Sequence, residues 1–323
     1  MLTADDWPIA AALLSQGDAH PANASGSPVE RWRADLLEVS DAGFSEVDLT
    51  DSWVRYGELT PQQARDLQDC LRSTGLVAAS LSAIRRSIID ERYGAENLAY
   101  AHRTLDLAAE FGVPVVSVGL HRALTPEQRE QLWFWTVEGH RDPPDDEAWS
   151  LAVTRFRELG RHAAELGLVL SLELYEHTYL GTAASAVRLV EDIGLDAVGL
   201  NPDVGNLIRL HEPVEDWRAI VEATMPYANF WHAKNYTRDE DAAAGLVSTV
   251  PTSLELGLID YREAVKIAVR SGFQGVICVE HYGGDGLSVS ASNRDYLRGR
   301  ILPRREYAPG ASRVRQTHGK VEG

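Results

Sequence analysis

Four side chains that can bind a metal ion occur at equivalent points in the second half of the chain. Glu173, Asp203, His232 and Glu280 each lie at or just after the end of a short apolar run, in the segments SLELYEH, GLNPDVGN, FWHAKNY and CVEHYGG. Three carboxylates and one imidazole suit a divalent cation such as Mn²⁺, Mg²⁺ or Co²⁺. Zn²⁺ is a weaker match, because the set has one imidazole and no thiolate.

The alternative is that these four groups form buried ion pairs without a metal. Three carboxylates packed together without a cation would force some of them to stay protonated, since like charges in one site raise each other's pKa. We therefore predict one bound divalent cation, with Mn²⁺ as the first choice.

The rest of the sequence predicts the fold that brings these groups together. Eight short apolar runs alternate with eight longer amphipathic segments, as in βα units around a parallel sheet. An open doubly wound sheet would alternate in the same way, but it usually has a Gly-rich phosphate turn after its first strand, and this sequence has none there. The predicted strands are 7–14, 46–50, 77–82, 115–120, 169–174, 198–201, 229–233 and 275–279. The predicted helices are 28–41, 61–74, 96–111, 147–166, 183–193, 214–224, 261–271 and 291–301. We expect an α/β fold, a single-domain (β/α)8 TIM barrel over residues 1–302.

Three segments lie outside the repeat. The loop after the fourth strand contains LWFWTVEGHRDPPDDEAW, and the loop after the seventh contains NYTRDEDAAAGLVSTVPTSLELGLID. Loops of this length between barrel elements tend to be lids or contact surfaces. Trp133 and Trp135 in the first loop are expected either to contact an aromatic or sugar ligand or to anchor the loop in a hydrophobic cluster. The basic tail, residues 303–323, is expected to be flexible, docked on a partner or simply disordered.

Active sites of TIM barrels lie at the C-terminal ends of the strands and in the loops that follow. His140, in the Trp-rich loop, is the predicted general base, because histidine titrates near the working pH. An exposed loop histidine without a catalytic role is the alternative. His121, at the end of the fourth strand, is predicted to contact substrate or to support the site structurally.

Lys234 lies two residues beyond His232, so both side chains point to the same side of the strand. We expect its ammonium to hold a substrate oxygen or to assist proton transfer. An ion pair with Glu173 or Glu280 is the alternative.

Composition limits the classes of partner. The formal net charge is −17 and the isoelectric point is near 5.0, which argues against nucleic acid and anionic membranes as partners. No apolar stretch is long enough to span a bilayer, and the N-terminus lacks the basic start of a secretory signal. The two cysteines, Cys70 and Cys278, are predicted to be buried thiols. We expect a cytoplasmic protein.

The motifs LSLELYEHTYLGT, VGLNPDVGNL, WHAKNYTR and IDYREAVKIAVRSGFQGVICVEHYGGDG resemble the sugar phosphate isomerase/epimerase superfamily, the xylose isomerase-like barrels, over essentially the whole chain. That resemblance implies that Glu173, Asp203, His232 and Glu280 bind one divalent metal. It also implies substrate contacts from Arg238. Asn206 is a further substrate-binding prediction, and it stands where some sugar epimerases carry histidine.

A narrower resemblance, to the α subunit of bacterial C-glycoside deglycosidases, rests on LSAIRRSIID, LWFWTVEGHRDPP, WHAKNY and EHYGGDGLS. It implies cleavage of a 3-oxo-C-glycoside, a histidine base in the Trp-rich loop and a small second (β) subunit in a higher oligomer. The alternatives are a ketose or keto-inositol isomerase or epimerase, in which Glu173 and Glu280 also act as acid and base, and, less consistent with the charge, a DNA-repair endonuclease. A non-catalytic binding subunit is a further alternative. Asp285, after the eighth strand, favours an uncharged glycoside over a sugar phosphate.

Overall fold

The computed structural model describes residues 1–14, 27–241 and 243–318. Its strands are β1 (Ile9–Leu13), β2 (Glu46–Thr50), β3 (Val77–Ala83), β4 (Val115–Val118), β5 (Val169–Glu173), β6 (Val198–Asn201), β7 (Phe230–Ala233), β8 (Asn235–Asp241), β9 (Leu246–Thr252) and β10 (Val276–Val279). The longer helices are α1 (Pro28–Asp41), α2 (Pro61–Thr74), α3 (Gly94–Phe111), α4 (Asp146–Glu165), α5 (Ala183–Ile193), α6 (Trp217–Thr224), α7 (Tyr261–Arg270) and α8 (Gly286–Tyr296). Short helical turns lie at Tyr56–Glu58, Pro126–Arg129, Phe134–Thr136, Gly205–Ile208, Met225–Tyr227 and Leu297–Ile301.

Eight parallel strands form a nearly closed barrel in the order β6-β5-β4-β3-β2-β1-β10-β7, and the helices lie between them along the chain. The predicted single-domain (β/α)8 barrel is therefore confirmed. A small apolar cluster of residues from six different barrel strands fills the interior, and a larger one lies between the strands and the helices. The interior cluster contains Ala10, Ala79, Val115, Val169, Phe230, Val276 and Cys278.

Local sequence signals account for the helix boundaries. Helices α1 and α2 begin with capping boxes, in which Ser27 pairs with Glu30 and Thr60 pairs with Gln63. Helix α2 ends at Gly75, whose positive φ of 72° is the left-handed conformation that closes a helix at low cost. Helix α8 begins five residues earlier than predicted, because the side chain of Asp285 accepts a hydrogen bond from the backbone N–H of Ser288 and caps it.

The barrel has one seam. Within the described residues no hydrogen-bonded ladder joins β6 to β7. Instead, the side-chain oxygen of Asn201 accepts a hydrogen bond of 2.7 Å from the backbone N–H of His232, and the backbone N–H of Asn229 donates to the oxygen of Leu200. A buried side chain therefore replaces part of the missing ladder.

The segment after β7 differs from the predicted long loop. Strands β8 and β9 pair antiparallel from Asn235 with Thr252 to Asp241 with Leu246, forming a hairpin that projects beyond the barrel sheet. Leu246 and Val250 lie on its exposed surface. The alternating pattern of LVSTVPT was the available sign of a strand, and it was missed because the segment was interpreted as a loop.

The tail also differs from the expectation of a flexible segment. Its described part, residues 303–318, packs against the barrel: the hydroxyl of Tyr307 donates to the backbone oxygen of Leu2, and the amide of Gln316 donates to that of Ala228. Val314 is buried there. Among the described residues, no helix is both long enough and apolar enough to cross a membrane.

Asn201→Ala tests the seam. The change leaves the buried backbone N–H of His232 without a partner, which should cost about 1–3 kcal/mol of unfolding free energy in denaturant titrations. Ser117→Ala, which removes only the long 3.4 Å contact of the Asn201 amide, is the matched control and should cost clearly less. Equal losses in the two variants would show that the bond to His232 does not hold the seam.

Candidate metal centre

Three of the four predicted metal ligands converge at the C-terminal end of the barrel. Glu173 is the last residue of β5, Asp203 follows β6 by two residues, and His232 lies in β7. All three are buried, and one ligand atom from each lies within 4.8 Å of the others. Nδ1 of His232 is 3.7 Å from Oε1 of Glu173 and 3.8 Å from Oδ2 of Asp203.

Glu280, directly after β10, is adjacent to this group but also pairs with a lysine. Its Oε2 is 3.5 Å from Nδ1 of His232 and accepts a 2.9 Å hydrogen bond from Nζ of Lys234. The same ammonium lies 2.8 Å from Oδ2 of Asp203. Lys234 thus points toward the ligand set, as expected from its position two residues after His232, and it forms the ion pair with Glu280 that the sequence left open.

The charge states support a cation site. Burial alone would raise the pKa of Glu173, but the neighbouring His232 lowers it to about 2. Burial also opposes the charge of Lys234, yet Asp203 and Glu280 raise its pKa well above the usual value. Glu173 and Lys234 are therefore both charged near pH 7.

Three buried polar atoms in this set lack hydrogen-bond partners among the described residues, namely Oδ1 of Asp203 and both ring nitrogens of His232, of which Nδ1 faces the carboxylates. Buried polar atoms without partners are costly, and each needs an explanation. A divalent cation bound by Glu173, Asp203 and His232, with Glu280 beside them, would supply that partner. The donor set therefore fits a metal ion.

Asn206 lies against the metal ligands. Its amide nitrogen donates to Oε1 of Glu173 at 3.1 Å, to Oδ2 of Asp203 at 3.0 Å and to the backbone oxygen of Leu174 at 2.9 Å. These bonds fix the two carboxylates relative to each other. The structure thus gives Asn206 a positioning role where the sequence suggested substrate contact.

The guanidinium of Arg238 is held by contacts within the protein. Its guanidinium donates to the backbone oxygens of Ile208, Leu210 and Glu212, and it pairs with Glu240 on the same strand. The side chain is almost fully buried by these contacts. It anchors the β8–β9 hairpin to the segment after β6, and its predicted contact with substrate stays a prediction.

A cavity among the loops after β4 and β5, at the same end of the barrel, is lined by His121, His140, Arg85 and His177, among others. His121 is buried and stacked on Tyr175 at 4.4 Å, and burial lowers its pKa to about 4, so it is neutral near pH 7. His140 is exposed at the rim of the cavity. The backbone of Arg85 (φ 55°) and of His177 (φ 60°) is left-handed, a strained conformation that clusters at binding sites.

The Trp-rich loop is anchored by its own aromatic side chains. Trp135 is buried, stacks on Trp133 with a centroid distance of 5.1 Å, and donates from Nε1 to Oγ1 of Thr249. Trp133 packs on Gly283, where a side chain would have no room. The anchoring alternative is therefore the one that the structure shows for Trp135.

Comparison with known proteins agrees with this geometry. The sequence profile of the xylose isomerase-like TIM barrel family matches residues 36–300. A xylose isomerase-like TIM barrel protein from Mycobacterium smegmatis, solved in complex with magnesium, is 44% identical, with a TM-score of 0.88, over 93% of this chain and 98% of that one. The chain belongs to the xylose isomerase-like TIM barrel family. No curated protein matches it.

More distant members show the same fold. A 3-keto-D-glucoside 4-epimerase from E. coli is 16% identical, with a TM-score of 0.61, over 91% of this chain and 99% of that one. A D-psicose 3-epimerase from Clostridium cellulolyticum H10, solved with D-tagatose, is 14% identical, with a TM-score of 0.60, over 84% and 94%. The family, together with the buried ionised groups at the catalytic end of the barrel, identifies this xylose isomerase-like barrel as an enzyme, as the sequence predicted.

Two buried groups of this barrel were missed by the sequence analysis. Arg209 is fully buried and forms two hydrogen bonds, of 2.8 and 2.9 Å, to the carboxylate of Glu176 beneath the Trp-rich loop. Asp48, inside β2, is also fully buried. The acid at the centre of the strand EVDLT was a visible signal for Asp48, whereas nothing in the sequence pairs Arg209 with Glu176.

Asp142, in the cavity wall, should make stability depend on pH. Its carboxylate accepts a hydrogen bond from the backbone N–H of Tyr179, and burial raises its pKa from 3.8 to about 6. The folded protein therefore keeps this proton up to a higher pH than the unfolded chain, so the contribution of Asp142 to stability falls as pH rises from about 4 to about 6.

Asp142→Asn removes this pH-dependent loss of stability and keeps an oxygen that can accept the hydrogen bond from the backbone N–H of Tyr179. Relative to the unchanged protein, the variant should gain unfolding free energy, roughly 1–3 kcal/mol, as pH rises through this window, and should keep the gain at higher pH. Denaturant titrations across the pH range measure it, with Asp146→Asn, at the exposed start of α4, as control. A difference in unfolding free energy between the variant and the unchanged protein that does not change with pH would contradict the raised pKa of Asp142.

Proposed function

We propose that this chain is a divalent-metal-dependent enzyme that removes a proton from a sugar carbon next to a carbonyl, as sugar isomerases and epimerases do. The observation that carries the proposal is the convergence of Glu173, Asp203 and His232 within 4.8 Å, with Glu280 and Lys234 against them. The chemistry named for the epimerases of this fold fits such a site.

A divalent cation bound by these ligands supplies electrostatic stabilisation of the negative charge that develops on the carbonyl oxygen. Mn²⁺ and Mg²⁺ are the metals we propose, and the magnesium in the M. smegmatis relative supports the second. The buried ammonium of Lys234 adds a fixed positive charge at the same place.

The base takes the proton from the carbon, and the electron pair of that C–H bond moves toward the carbonyl to form an enolate. Returning a proton to the opposite face of the same carbon gives an epimer. Returning it to the former carbonyl carbon gives an isomer, provided that the hydroxyl proton of the neighbouring carbon passes to the former carbonyl oxygen. We assign the base to His140, at the rim of the cavity, with a carboxylate of Glu173 or Glu280 as the alternative. His121 is placed to hydrogen-bond a substrate oxygen as a neutral group.

A second candidate is cleavage of a 3-oxo-C-glycoside, in which the same proton is lost from C2 and the bond from C1 to the aglycone breaks. The electron pair of that bond leaves with the aglycone, which is then protonated. The arrangement that favours this candidate is the half-buried pair Trp133 and Phe134 beside Tyr282, an aromatic surface next to Glu280. The resemblance of this loop to the deglycosidase α subunit also implies a small companion subunit and, as we propose, a cytoplasmic complex.

The two candidates differ in their products. The purified protein, loaded with Mn²⁺ or Mg²⁺, would be incubated in D₂O with free ketoses, 3-keto-glycosides and a 3-oxo-C-glycoside, alone and with proteins that copurify from its host. Deuterium in an unbroken sugar supports the isomerase or epimerase, and a released aglycone supports the lyase. If none of these substrates reacts in a metal-dependent way, the proposed function is overturned.

Replacing His140 with Gln tests the base. Loss of a general base typically lowers the rate by about 10²–10⁴-fold, and metal content measured on the same sample should be unchanged because His140 is outside the ligand set. His177→Gln, another histidine of the cavity, is the matched control and should retain more activity. Turnover of His140→Gln close to that of the unchanged protein would transfer the role to Glu173 or Glu280.

A further inference from the structure

Asp48 is an acid buried inside the barrel and outside the predicted ligand set. It lies at the centre of β2 and is fully shielded from solvent. Its Oδ1 accepts hydrogen bonds from the hydroxyls of Ser80 at 2.6 Å and of Ser82 at 2.8 Å, both on β3. Its Oδ2 has no hydrogen-bond partner among the described residues. Such a carboxylate is costly to bury and calls for a functional explanation.

The free oxygen of Asp48 faces the ring of the proposed metal histidine. Oδ2 is 3.5 Å from Nε2 of His232, while Nδ1 on the other edge of the ring faces the carboxylates of Glu173, Asp203 and Glu280 at 3.5–3.8 Å. The imidazole of His232 therefore lies between two different acidic environments.

We propose that Asp48 is a positioning residue that holds the proton of His232 on Nε2 and so presents the lone pair of Nδ1 to the divalent cation; this inference rests on the metal centre of the proposed function. An imidazole that binds a cation through one nitrogen carries its proton on the other, and a carboxylate on that side fixes both the tautomer and the ring orientation. The two serine hydroxyls fix the carboxylate in turn.

The alternative assignment makes Asp48 a ligand itself. Asp48, His232 and Cys278 also place one ligand atom each within 4.8 Å of the others. However, this inner group offers one carboxylate and one thiol beside the imidazole, whereas the Nδ1 edge of the ring faces three carboxylates. Mg²⁺ and Mn²⁺ prefer oxygen ligands, so the Nδ1 edge of the His232 ring is favoured for the metal.

The test measures the binding of Mn²⁺ and Mg²⁺ to metal-free protein by titration calorimetry, so that it does not depend on turnover. Asp48→Asn keeps an acceptor for Nε2 but removes the negative charge, and it should weaken metal binding about tenfold. Asp48→Ala removes the acceptor too and should weaken it about a hundredfold. The graded order, with partial retention by the conservative variant, is the expected signature of positioning.

Cys278→Ala is the matched control, because Cys278 is a buried neighbour of the same ring. The affinity of this variant for metal is expected to stay within about twofold of that of the unchanged protein. A loss of affinity as large as that of Asp48→Ala would assign the metal to the group of Asp48, His232 and Cys278 and overturn the proposal. Unchanged metal binding in Asp48→Asn and Asp48→Ala would also overturn it. The electron paramagnetic resonance spectrum of bound Mn²⁺ should change in Asp48→Asn and stay the same in Cys278→Ala.

If both Asp48 variants fail to fold, the double variant Ser80→Ala/Ser82→Ala gives a second test. It leaves the carboxylate in place but releases Oδ1, and metal binding should weaken by a factor of about three to ten; an unchanged affinity would contradict the proposal. If the protein binds metal in this graded way but turns over no sugar, the positioning role stands and the proposed function fails.

Discussion

The constraint on which this barrel depends is the burial of four carboxylates around one imidazole. Asp48, Glu173, Asp203 and Glu280 all face His232 within 3.8 Å. Ionised acids cannot be removed from water at this density unless positive charge balances them. Lys234 pairs with Asp203 and Glu280, and the divalent cation that we propose would balance the negative charge that remains. The geometry of the barrel end follows from this balance.

Holding these groups together also requires the seam of the barrel. His232 lies on β7, next to the gap in the ladder, and its backbone is fixed across that gap by Asn201 at the end of β6. Asn206 then links Glu173 to Asp203, which come from the neighbouring strand ends. Side-chain amides thus provide the rigidity that a continuous ladder provides elsewhere in the sheet, and an incompletely closed barrel can still hold an ordered set of ligands.

The fold and the convergence of the predicted ligands could be predicted from the sequence because both depend on local patterns. Alternating apolar runs predict the barrel, and the end of each run locates Glu173, Asp203, His232 and Glu280. Roles that depend on contacts between distant segments were not predictable. Arg238 and Asn206 were assigned to substrate, yet backbone oxygens hold the first and metal ligands hold the second. The hairpin β8–β9 was missed for a different reason, since the whole segment was interpreted as a loop although LVSTVPT carries an apolar pattern.

Contacts between loops fix the surface above the end of the barrel. The Trp-rich loop is fixed by the stack of Trp133 on Trp135 and by the bond from Trp135 to Thr249 of the hairpin, whose hydroxyl donates to the backbone oxygen of Arg209. A chain of contacts therefore links the loops after β4, β6 and β7. Because breaking a buried ion pair is costly, the pair of Arg209 with Glu176 beneath them resists rearrangement. Three loops tied in this way form a preformed wall, and the sugar that we propose as substrate would have to fit between that wall and the acidic end of the barrel.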